Sequence, residues 1–193
     1  MIAGHFGFAA MMNSRERQVP LWALMLAVVW LDILFVPLFL SGIETIEPAP
    51  GSHGGYGNGI IHADYTHSLA GALLLSALFG LAFYRRWGMR NAIILGFASF
   101  SHWLLDLIVH RADLPILPGN IGDLPKLGFG LWRMHAVTIA LEFALVVGGA
   151  WFYWRAARLV SADRKAGRAV LTSMLILVFG VAVLALDVTG LLD

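Results

Sequence analysis

The stretch NAIILGFASFSHWLLDLIVH, residues 91–110, is apolar over most of its length and yet contains two histidines and an aspartate. A transmembrane helix needs about 20 predominantly apolar residues, so the length suits a membrane span. Ionisable groups inside such a helix are costly and commonly mark function. His102, Asp106 and His110 follow one another at intervals of four residues, which places them on one helix face. The stretch therefore predicts a membrane fold with a polar site inside it.

The composition of the whole chain is that of an integral membrane protein. Of 193 residues, 59% are hydrophobic and 13% are charged, with a mean hydropathy of +0.78. Soluble domains carry about 25% charged residues. The absence of cysteine excludes disulfides, thiolate metal sites, iron–sulfur clusters and cysteine nucleophiles. A net charge of +1 leaves no basic surface of the kind that nucleic acids require, so no nucleic-acid partner is expected.

The pattern of apolar blocks predicts an all-α integral membrane protein that forms a single membrane-embedded domain over residues 1–193. Five blocks are long enough to span a bilayer and lie at about 20–43, 67–84, 91–109, 131–154 and 170–192. Residues 1–13 form a shorter apolar segment that lacks the basic start of a signal peptide. We expect five transmembrane helices preceded by a short re-entrant or interfacial helix.

The basic residues predict the orientation of these helices, because cytoplasmic loops are enriched in lysine and arginine. With five spans, ten basic residues fall on one side of the membrane: Arg15, Arg17, Arg85, Arg86, Arg90, Arg155, Arg158, Arg164, Lys165 and Arg168. The other side receives Arg111, Lys126 and Arg133. This distribution predicts a cytoplasmic N-terminus and an extracytoplasmic C-terminus.

Histidines and aspartates from several predicted helices fall at similar depths. At about 1.5 Å per residue, Asp32 and His102 lie about 17–18 Å from the cytoplasmic end of their spans, Asp106 about 23 Å and His67 about 27 Å. His5 on a re-entrant helix reaches about 12 Å. A set of imidazoles and carboxylates suits Zn²⁺ or another divalent transition metal. More than four candidate ligands favours two or more ions, as in sites that hydrolyse phosphate esters.

The stretch HADYTHSL, residues 62–69, adds further candidates at the mouth of the second span. His62 and His67 flank a short turn that contains Asp64, which we predict to act as a catalytic base or an extra ligand. Arg111 and Arg133 flank the predicted outer opening and can bind an anionic head group. The same two arginines are equally typical of ordinary interfacial residues.

Several polar residues have a structural explanation as good as a functional one. A single histidine or aspartate in a membrane helix often serves only a helix–helix hydrogen bond. His110, His135 and Glu142 are additional ligand candidates, of which His135 and Glu142 share one helix face. Asp187 stands alone in the last span. The glycine-rich residues 48–59 predict a mobile loop, in which His53 is a solvated residue rather than a ligand.

Four strings in the first half of the chain resemble, in order and spacing, the YdjM-like family of bacterial inner-membrane metal-dependent hydrolases. They are GHFGFA (4–9), WLDIL (30–34), HADYTHSL (62–69) and SHWLLD (101–106). That family is grouped with zinc-dependent phospholipase C and the fungal zinc nucleases, whose sites hold clustered zinc ions through histidine and aspartate. The resemblance covers residues 4–107 and implies six metal ligands: His5, Asp32, His62, His67, His102 and Asp106.

The chain departs from the family pattern at two places. Leu34 stands where the family often has a second aspartate, and Ala63-Asp64 stands where it has Arg-Gly. Asp64 is therefore a candidate replacement for the missing carboxylate. The departures affect the expected number of metal ions more than the expected site.

Together these patterns predict a metal-dependent hydrolase of the bacterial inner membrane, with its site near the periplasmic side. Its expected substrate is a phosphoester, either a membrane lipid or a lipid-linked small molecule. A haem protein that uses His67, His102 or His135 as axial ligands is one alternative. An ion-coupled or proton-coupled transporter with a relay of buried aspartate and histidine is another. The oligomeric state stays open, because small residues serve internal packing and dimer contacts equally.

Overall fold

The computed structural model describes residues 1–52, 55–160 and 163–190, which are mainly helical. The α-helices in this described part are α1 (Ile2–Arg15), α2 (Leu21–Val28), α3 (Trp30–Leu40), α4 (Leu69–Ala82), α5 (Tyr84–Val109), α6 (His135–Val160) and α7 (Asp163–Val188). Two strands, β1 (Thr45–Pro48) and β2 (Gly59–His62), lie between α3 and α4. Short 3₁₀ helices at Pro118–Asn120 and Leu131–Arg133 lie in the segment between α5 and α6.

Within residues 1–52, 55–160 and 163–190, three helices are long and apolar enough to cross a membrane, which indicates a membrane protein as predicted. They are Tyr84–Val109, His135–Leu159 and Gly167–Val188, and the bent pair α2 and α3 raises the count to four if it forms one span. The prediction of five spans is wrong by this measure. The block at 67–84 yields only the 14 residues of α4, or about 21 Å, whereas a bilayer core is about 30 Å thick.

The N-terminal limit of α4 has a local cause. The Ser68 side chain accepts a hydrogen bond from the backbone N–H of Gly71, which caps the helix at its first turn. His67 therefore precedes the helix instead of forming its first turn. This position leaves its side chain free to turn toward α5.

The predicted first span is divided by a bend of 43° between α2 and α3. Val29, at the junction, has φ −115° and ψ 10°, outside the helical range. The bend places Asp32 in the first turn of α3. It also leaves the carbonyl of Val28 able to accept a hydrogen bond from the side chain of His102.

Helix α1 lies inside the fold, and Arg15 is its one exposed residue. Ala3, His5, Ala9 and Ala10 are all buried. The helix packs against α6 at Gly7 and Gly149, where a Cβ atom on either glycine would overlap the backbone of the other helix. This close approach of backbones is typical of small residues between membrane helices. It sets the position of His5, two residues before Gly7.

The segment between α3 and α4 forms a β-hairpin, so the expectation of a purely α-helical chain needs correction. β1 and β2 pair antiparallel, with Thr45 opposite His62 and Pro48 opposite Gly59. The stretch at 48–59, predicted to be a mobile loop, connects and partly belongs to these strands, and its Tyr56 is buried. His53 lies outside the described residues. We use "the hairpin" below for β1, β2 and the described residues 49–52 and 55–58 between them.

Candidate metal centre

A cavity of about 390 Å³ lies where α1, α3, α5 and the hairpin meet. The polar residues on its wall include His5, Asp32, His67, His102, Asp106 and His110. Two triads bring their ligand atoms within 4.8 Å of one another: His5 with His102 and Asp106, and Asp32 with His67 and His102. These buried histidine and aspartate groups can hold a metal ion. The predicted convergence of side chains from separate helices is thus present.

Asp106 is the centre of this cluster. Its Oδ1 lies 3.2 Å from Nε2 of His5, and its Oδ2 lies 3.0 Å from Nε2 of His102. Nε2 of His110 and Nε2 of His67 are 3.7 and 3.9 Å from the same Oδ2. The two oxygens of one carboxylate therefore face different imidazoles.

Asp32 completes the cluster on the side of α3. Its Oδ1 lies 3.4 Å from Nε2 of His102 and 3.6 Å from Nε2 of His67. The Asp32 side chain is 36% exposed, whereas those of His67, His102 and Asp106 are at most 5% exposed. The cluster is thus most accessible beside Asp32.

Hydrogen bonds to the outer ring nitrogens determine the tautomers of His102 and His110. Nδ1 of His102 lies 2.7 Å from the carbonyl oxygen of Val28, which can only accept, so Nδ1 carries the hydrogen. Nδ1 of His110 lies 3.0 Å from a carboxylate oxygen of Asp113 and donates in the same way. In the neutral form of each ring, Nε2 then presents a lone pair toward Asp106.

His67 is held in the same tautomer through Thr66. The hydroxyl of Thr66 lies 2.9 Å from Oε2 of Glu44 and donates its hydrogen to that carboxylate. Oγ1 of Thr66 is then free to accept from Nδ1 of His67, 2.9 Å away. The Nε2 atom of His67 consequently presents a lone pair as well.

The Nε2 atoms of His67 and His102 are 3.1 Å apart, which is hydrogen-bond distance. With both Nδ1 atoms protonated, this contact requires a positive charge between the two nitrogens, which either a proton shared by the rings or a metal cation bound to both supplies. Metal-ligating histidines commonly donate their other N–H to a carbonyl or carboxylate, as here. His5 stacks on His102 with ring centroids 3.9 Å apart, and its Nδ1 is buried without a hydrogen-bond partner among the described residues.

The two candidates that precede His67 in the stretch 62–69, His62 and Asp64, lie outside this cluster. His62 lies on β2 opposite Thr45 and is in neither ligand triad of the described chain. Asp64 forms an ion pair with Lys126, in which Oδ1 and Nζ are 3.3 Å apart. It is not among the described residues that line the cavity. The role of Asp64 as a catalytic base or extra ligand stays a prediction.

The predicted head-group arginines also lie off the cavity wall. Arg111 donates to the carbonyl oxygen of Gly57, and Arg133 is exposed on a 3₁₀ helix. Neither is among the described residues that line the cavity.

Glu142 and His135 do not form the predicted pair. The carboxylate of Glu142 is buried and accepts hydrogen bonds from Tyr56 Oη at 2.6 Å and from the backbone N–H of Gly4 at 3.1 Å. His135 is exposed at the start of α6. Burial and the Glu142 carboxylate raise the pKa of Tyr56 above its ordinary value, so Tyr56 stays protonated and donates. Glu142 therefore fastens the hairpin and α1 to α6.

Sequence reasoning missed the groups that orient the histidines: Glu44, Thr66, Asp113 and the Val28 carbonyl. Asp113 follows His110 by three residues and Thr66 adjoins His67, so both offered a local signal. Glu44 is separated from Thr66 by 22 residues, and the sequence carries no sign of their contact.

Comparison with protein-family models, with curated proteins and with solved structures gives no match. The resemblance to the YdjM-like family consequently stays a prediction from four short strings.

Proposed function

We propose that this chain is a metal-dependent hydrolase of the bacterial inner membrane that acts on the phosphoester of a lipid or lipid-linked substrate. One observation carries the metal-binding step. Three buried histidines have their Nδ1 atoms bound to acceptors, and their Nε2 atoms all face Asp106. This arrangement presents lone pairs and a carboxylate to a common point, as a cation requires.

The donor set fits a divalent transition metal. Imidazole nitrogens and carboxylate oxygens are ordinary ligands of Zn²⁺, and thiolates are absent from the sequence. Nε2 of His67 and Nε2 of His102 are 3.1 Å apart, close enough for one ion to bind both nitrogens. His67, His102, Asp32 and Asp106 would hold one ion.

The position of Asp106 supports a second ion. Its Oδ1 faces His5 while its Oδ2 faces His102. Asp106 would therefore be a ligand on both sides of the cluster, and sites with two metal ions occur in enzymes that cleave phosphate esters. Nε2 of His5, 3.2 Å from Oδ1 of Asp106, offers the nitrogen ligand on that side.

The protein groups around the cluster would hold substrate and control access to it. When bound, divalent cations lower the pKa of water and polarise phosphoryl oxygens. Buried His5 and His102 exclude bulk water from the inner side. Asp32 is the most exposed of the carboxylates in the cluster, and its Oδ2, which does not face the histidines, can accept a proton from an approaching water.

The cavity wall beside Asp32 supports a lipid substrate. Phe35, Val36 and Phe39 of α3 line the cavity, and Val36 and Phe39 are also exposed on the outer surface of the helix. In a membrane these side chains contact acyl chains. A substrate with a phosphoester head and an apolar tail can therefore place its head at Asp32 and its tail along α3.

The distribution of charge supports a periplasmic site. The guanidinium of Arg90 and the carboxylate of Glu16 are 2.6 Å apart, so the end of α1 and the beginning of α5 lie together. His5 and Asp106 meet toward the opposite ends of the same two helices. Since Arg15, Arg17, Arg85, Arg86 and Arg90 lie near the first end, the positive-inside rule puts that end in the cytoplasm. Met1 lines the cavity beside His5, so in this proposal the start of α1 lies with the site, which differs from the cytoplasmic N-terminus expected from the basic residues alone.

The geometry is unfavourable to the haem alternative. Axial ligands on opposite faces of a haem must be separated by about twice a metal–nitrogen bond of about 2 Å. The Nε2 atoms of His67 and His102 are closer than that, and three carboxylate oxygens lie within 4 Å of the histidine Nε2 atoms where a porphyrin ring would pass. His135 is exposed and belongs to neither ligand triad of the described chain.

The decisive experiment measures hydrolysis by the purified full chain in detergent. Mixed micelles of phospholipids and of polyprenyl phosphates serve as substrates, and release of phosphate or head group is followed. We expect activity that a chelator abolishes and Zn²⁺ restores, and that Asp106→Asn lowers at least 100-fold. Asp123→Asn is the matched control, because Asp123 is an exposed carboxylate outside the cluster.

Two results would contradict the proposal. One is hydrolysis that neither the chelator nor Asp106→Asn changes. The other is ion flux in proteoliposomes that Asp32→Asn abolishes, with no hydrolysis in any substrate, which would support the transporter instead.

A further inference from the structure

Glu44 is a fully buried carboxylate placed directly before β1. Its Oε1 accepts from the backbone N–H groups of Tyr65 and Thr66 at 2.8 and 2.9 Å, and its Oε2 accepts from the Thr66 hydroxyl. A carboxylate satisfied by three donors is strongly held in place. It connects the first strand of the hairpin to the turn that carries His67.

Asp113 makes the corresponding connection from the second strand. Its Oδ1 accepts from Nδ1 of His110, and its Oδ2 accepts from the backbone N–H of Ile61 on β2 at 3.1 Å. The side chain is 4% exposed, so water competes little for either bond. The orientation of His110 and the position of β2 consequently depend on one carboxylate.

The hairpin that these two residues hold is a wall of the cavity. Ile46, Tyr56, Gly57 and Ile61 line the cavity opposite the cluster. Tyr56 is fastened to Glu142, and Gly57 packs on Trp132, where a Cβ atom would come within 3.0 Å of the indole side chain. The hydrogen bonds of Glu44 and Asp113 thus both hold the hairpin in place and orient His67 and His110.

We propose that Glu44 and Asp113 are positioning residues that couple the hairpin to the metal centre, through His67 and His110 respectively. Ion binding would fix His67 directly and His110 through Asp106, whose Oδ2 lies 3.7 Å from Nε2 of His110. The hydrogen bonds that hold the hairpin closed are then strengthened. By linkage, an open hairpin weakens ion binding by the same factor. The proposal rests on the metal centre described above, and it adds that the wall of the site responds to whether the ion is bound.

Each hydrogen-bonded link between the hairpin and the metal centre can be removed by its own substitution. Glu44→Gln keeps one acceptor oxygen and replaces the other, Oε1 or Oε2, by an NH₂ group that donates and cannot accept. Asp113→Asn leaves a single acceptor oxygen, whereas Nδ1 of His110 and the backbone N–H of Ile61 each need one. Thr66→Val removes the hydroxyl between Glu44 and His67 and leaves the backbone N–H bonds to Glu44 in place. This third variant tests the coupling even if Glu44→Gln fails to fold.

The test combines zinc affinity with backbone hydrogen exchange on the full chain in detergent. Zinc affinity is measured by competition with a chromophoric chelator. Hydrogen exchange of residues 55–62 is compared with and without Zn²⁺. In the wild type we expect zinc to slow exchange in the hairpin. In each variant we expect 10- to 100-fold weaker zinc binding and a smaller zinc-dependent protection. Glu47→Gln, an exposed carboxylate on β1, should behave as the wild type.

The outcomes separate this inference from the proposed function. If the wild type and all variants bind zinc equally, and zinc does not change hairpin exchange, the coupling is wrong while the metal centre stands. If the folded wild type binds no divalent metal, both the proposed function and the coupling are overturned. A purely structural role for Glu44 would lower stability but leave the zinc-dependent protection of the hairpin unchanged, and that result also contradicts the coupling.

Discussion

The Nε2 atoms of His67 and His102 lie 3.1 Å apart, while Nδ1 of each ring is bound to a separate acceptor. The two rings belong to residues 35 positions apart in the chain. Their approach is favourable when a positive charge lies between the nitrogens, because each neutral ring offers only a lone pair there. One cation could bind both Nε2 atoms, so removal of either ring should weaken metal binding.

Replacement of His102 should remove the metal. His102 belongs to both ligand triads, so His102→Ala deletes a nitrogen from each. Elemental analysis of purified protein should find at least one transition-metal ion per chain in the wild type and a large loss in the variant. His135→Ala is the matched control, because His135 is exposed and outside the triads of the described chain. Equal metal content in wild type and His102→Ala would contradict the assignment.

Replacement of His62 should leave the metal in place. The resemblance to the YdjM-like family implies that His62 is a ligand, whereas the structure places it on β2 outside both described triads. We expect the metal content and zinc affinity of His62→Ala to stay within about twofold of the wild type, since no metal–ligand bond is lost. A loss comparable to that in His102→Ala would instead favour the ligand set implied by the resemblance.

The contact between α1 and α6 should be sensitive to a single methyl group. A Cβ atom on Gly149 would overlap the backbone of Gly7, whereas one on Gly148 would meet only the end of Met11 at 3.7 Å. Overpacking typically costs about 1–3 kcal/mol. We expect Gly149→Ala to lower the unfolding temperature in detergent and, by displacing His5, to weaken zinc binding. Gly148→Ala should change neither, and an identical response of the two variants would argue against this packing.

Loss of the Tyr56 hydroxyl should destabilise the fold at neutral pH. Tyr56→Phe leaves one oxygen of the buried Glu142 without its donor, which costs about 1–3 kcal/mol. Tyr84→Phe, at an exposed position, is the control. Because the pKa of Tyr56 is raised in the folded state, its contribution is complete below about pH 10 and decreases as pH rises above that value.

Thermal unfolding of wild type and Tyr56→Phe at several pH values measures this difference. A difference in stability that is absent at pH 7, or that grows above pH 10, would contradict the role assigned to the hydrogen bond.

Local properties of the sequence were enough to predict the membrane class and most of the cluster. Long apolar blocks follow directly from composition, and the spacing of His102 and Asp106 follows from helical periodicity. Both depend only on neighbouring residues. The lengths and ends of the helices were harder to predict. Ser68 caps α4 after His67, and the first apolar block bends at Val29. The described chain therefore has fewer long spans than the five predicted.

What only the tertiary structure decided is which polar residues meet. His5 and Asp106 are 101 positions apart and are brought together by the glycine contact of α1 with α6 and by the packing of α1 beside α2 and α5. In the sequence His62 is close to His67, yet in the structure it lies opposite Thr45 on the hairpin. Glu44 is remote from His67 in the sequence, yet it holds the turn that carries His67. Periodicity assigns residues to faces of one element. The distance between two elements depends on packing across the whole chain, which no local pattern contains.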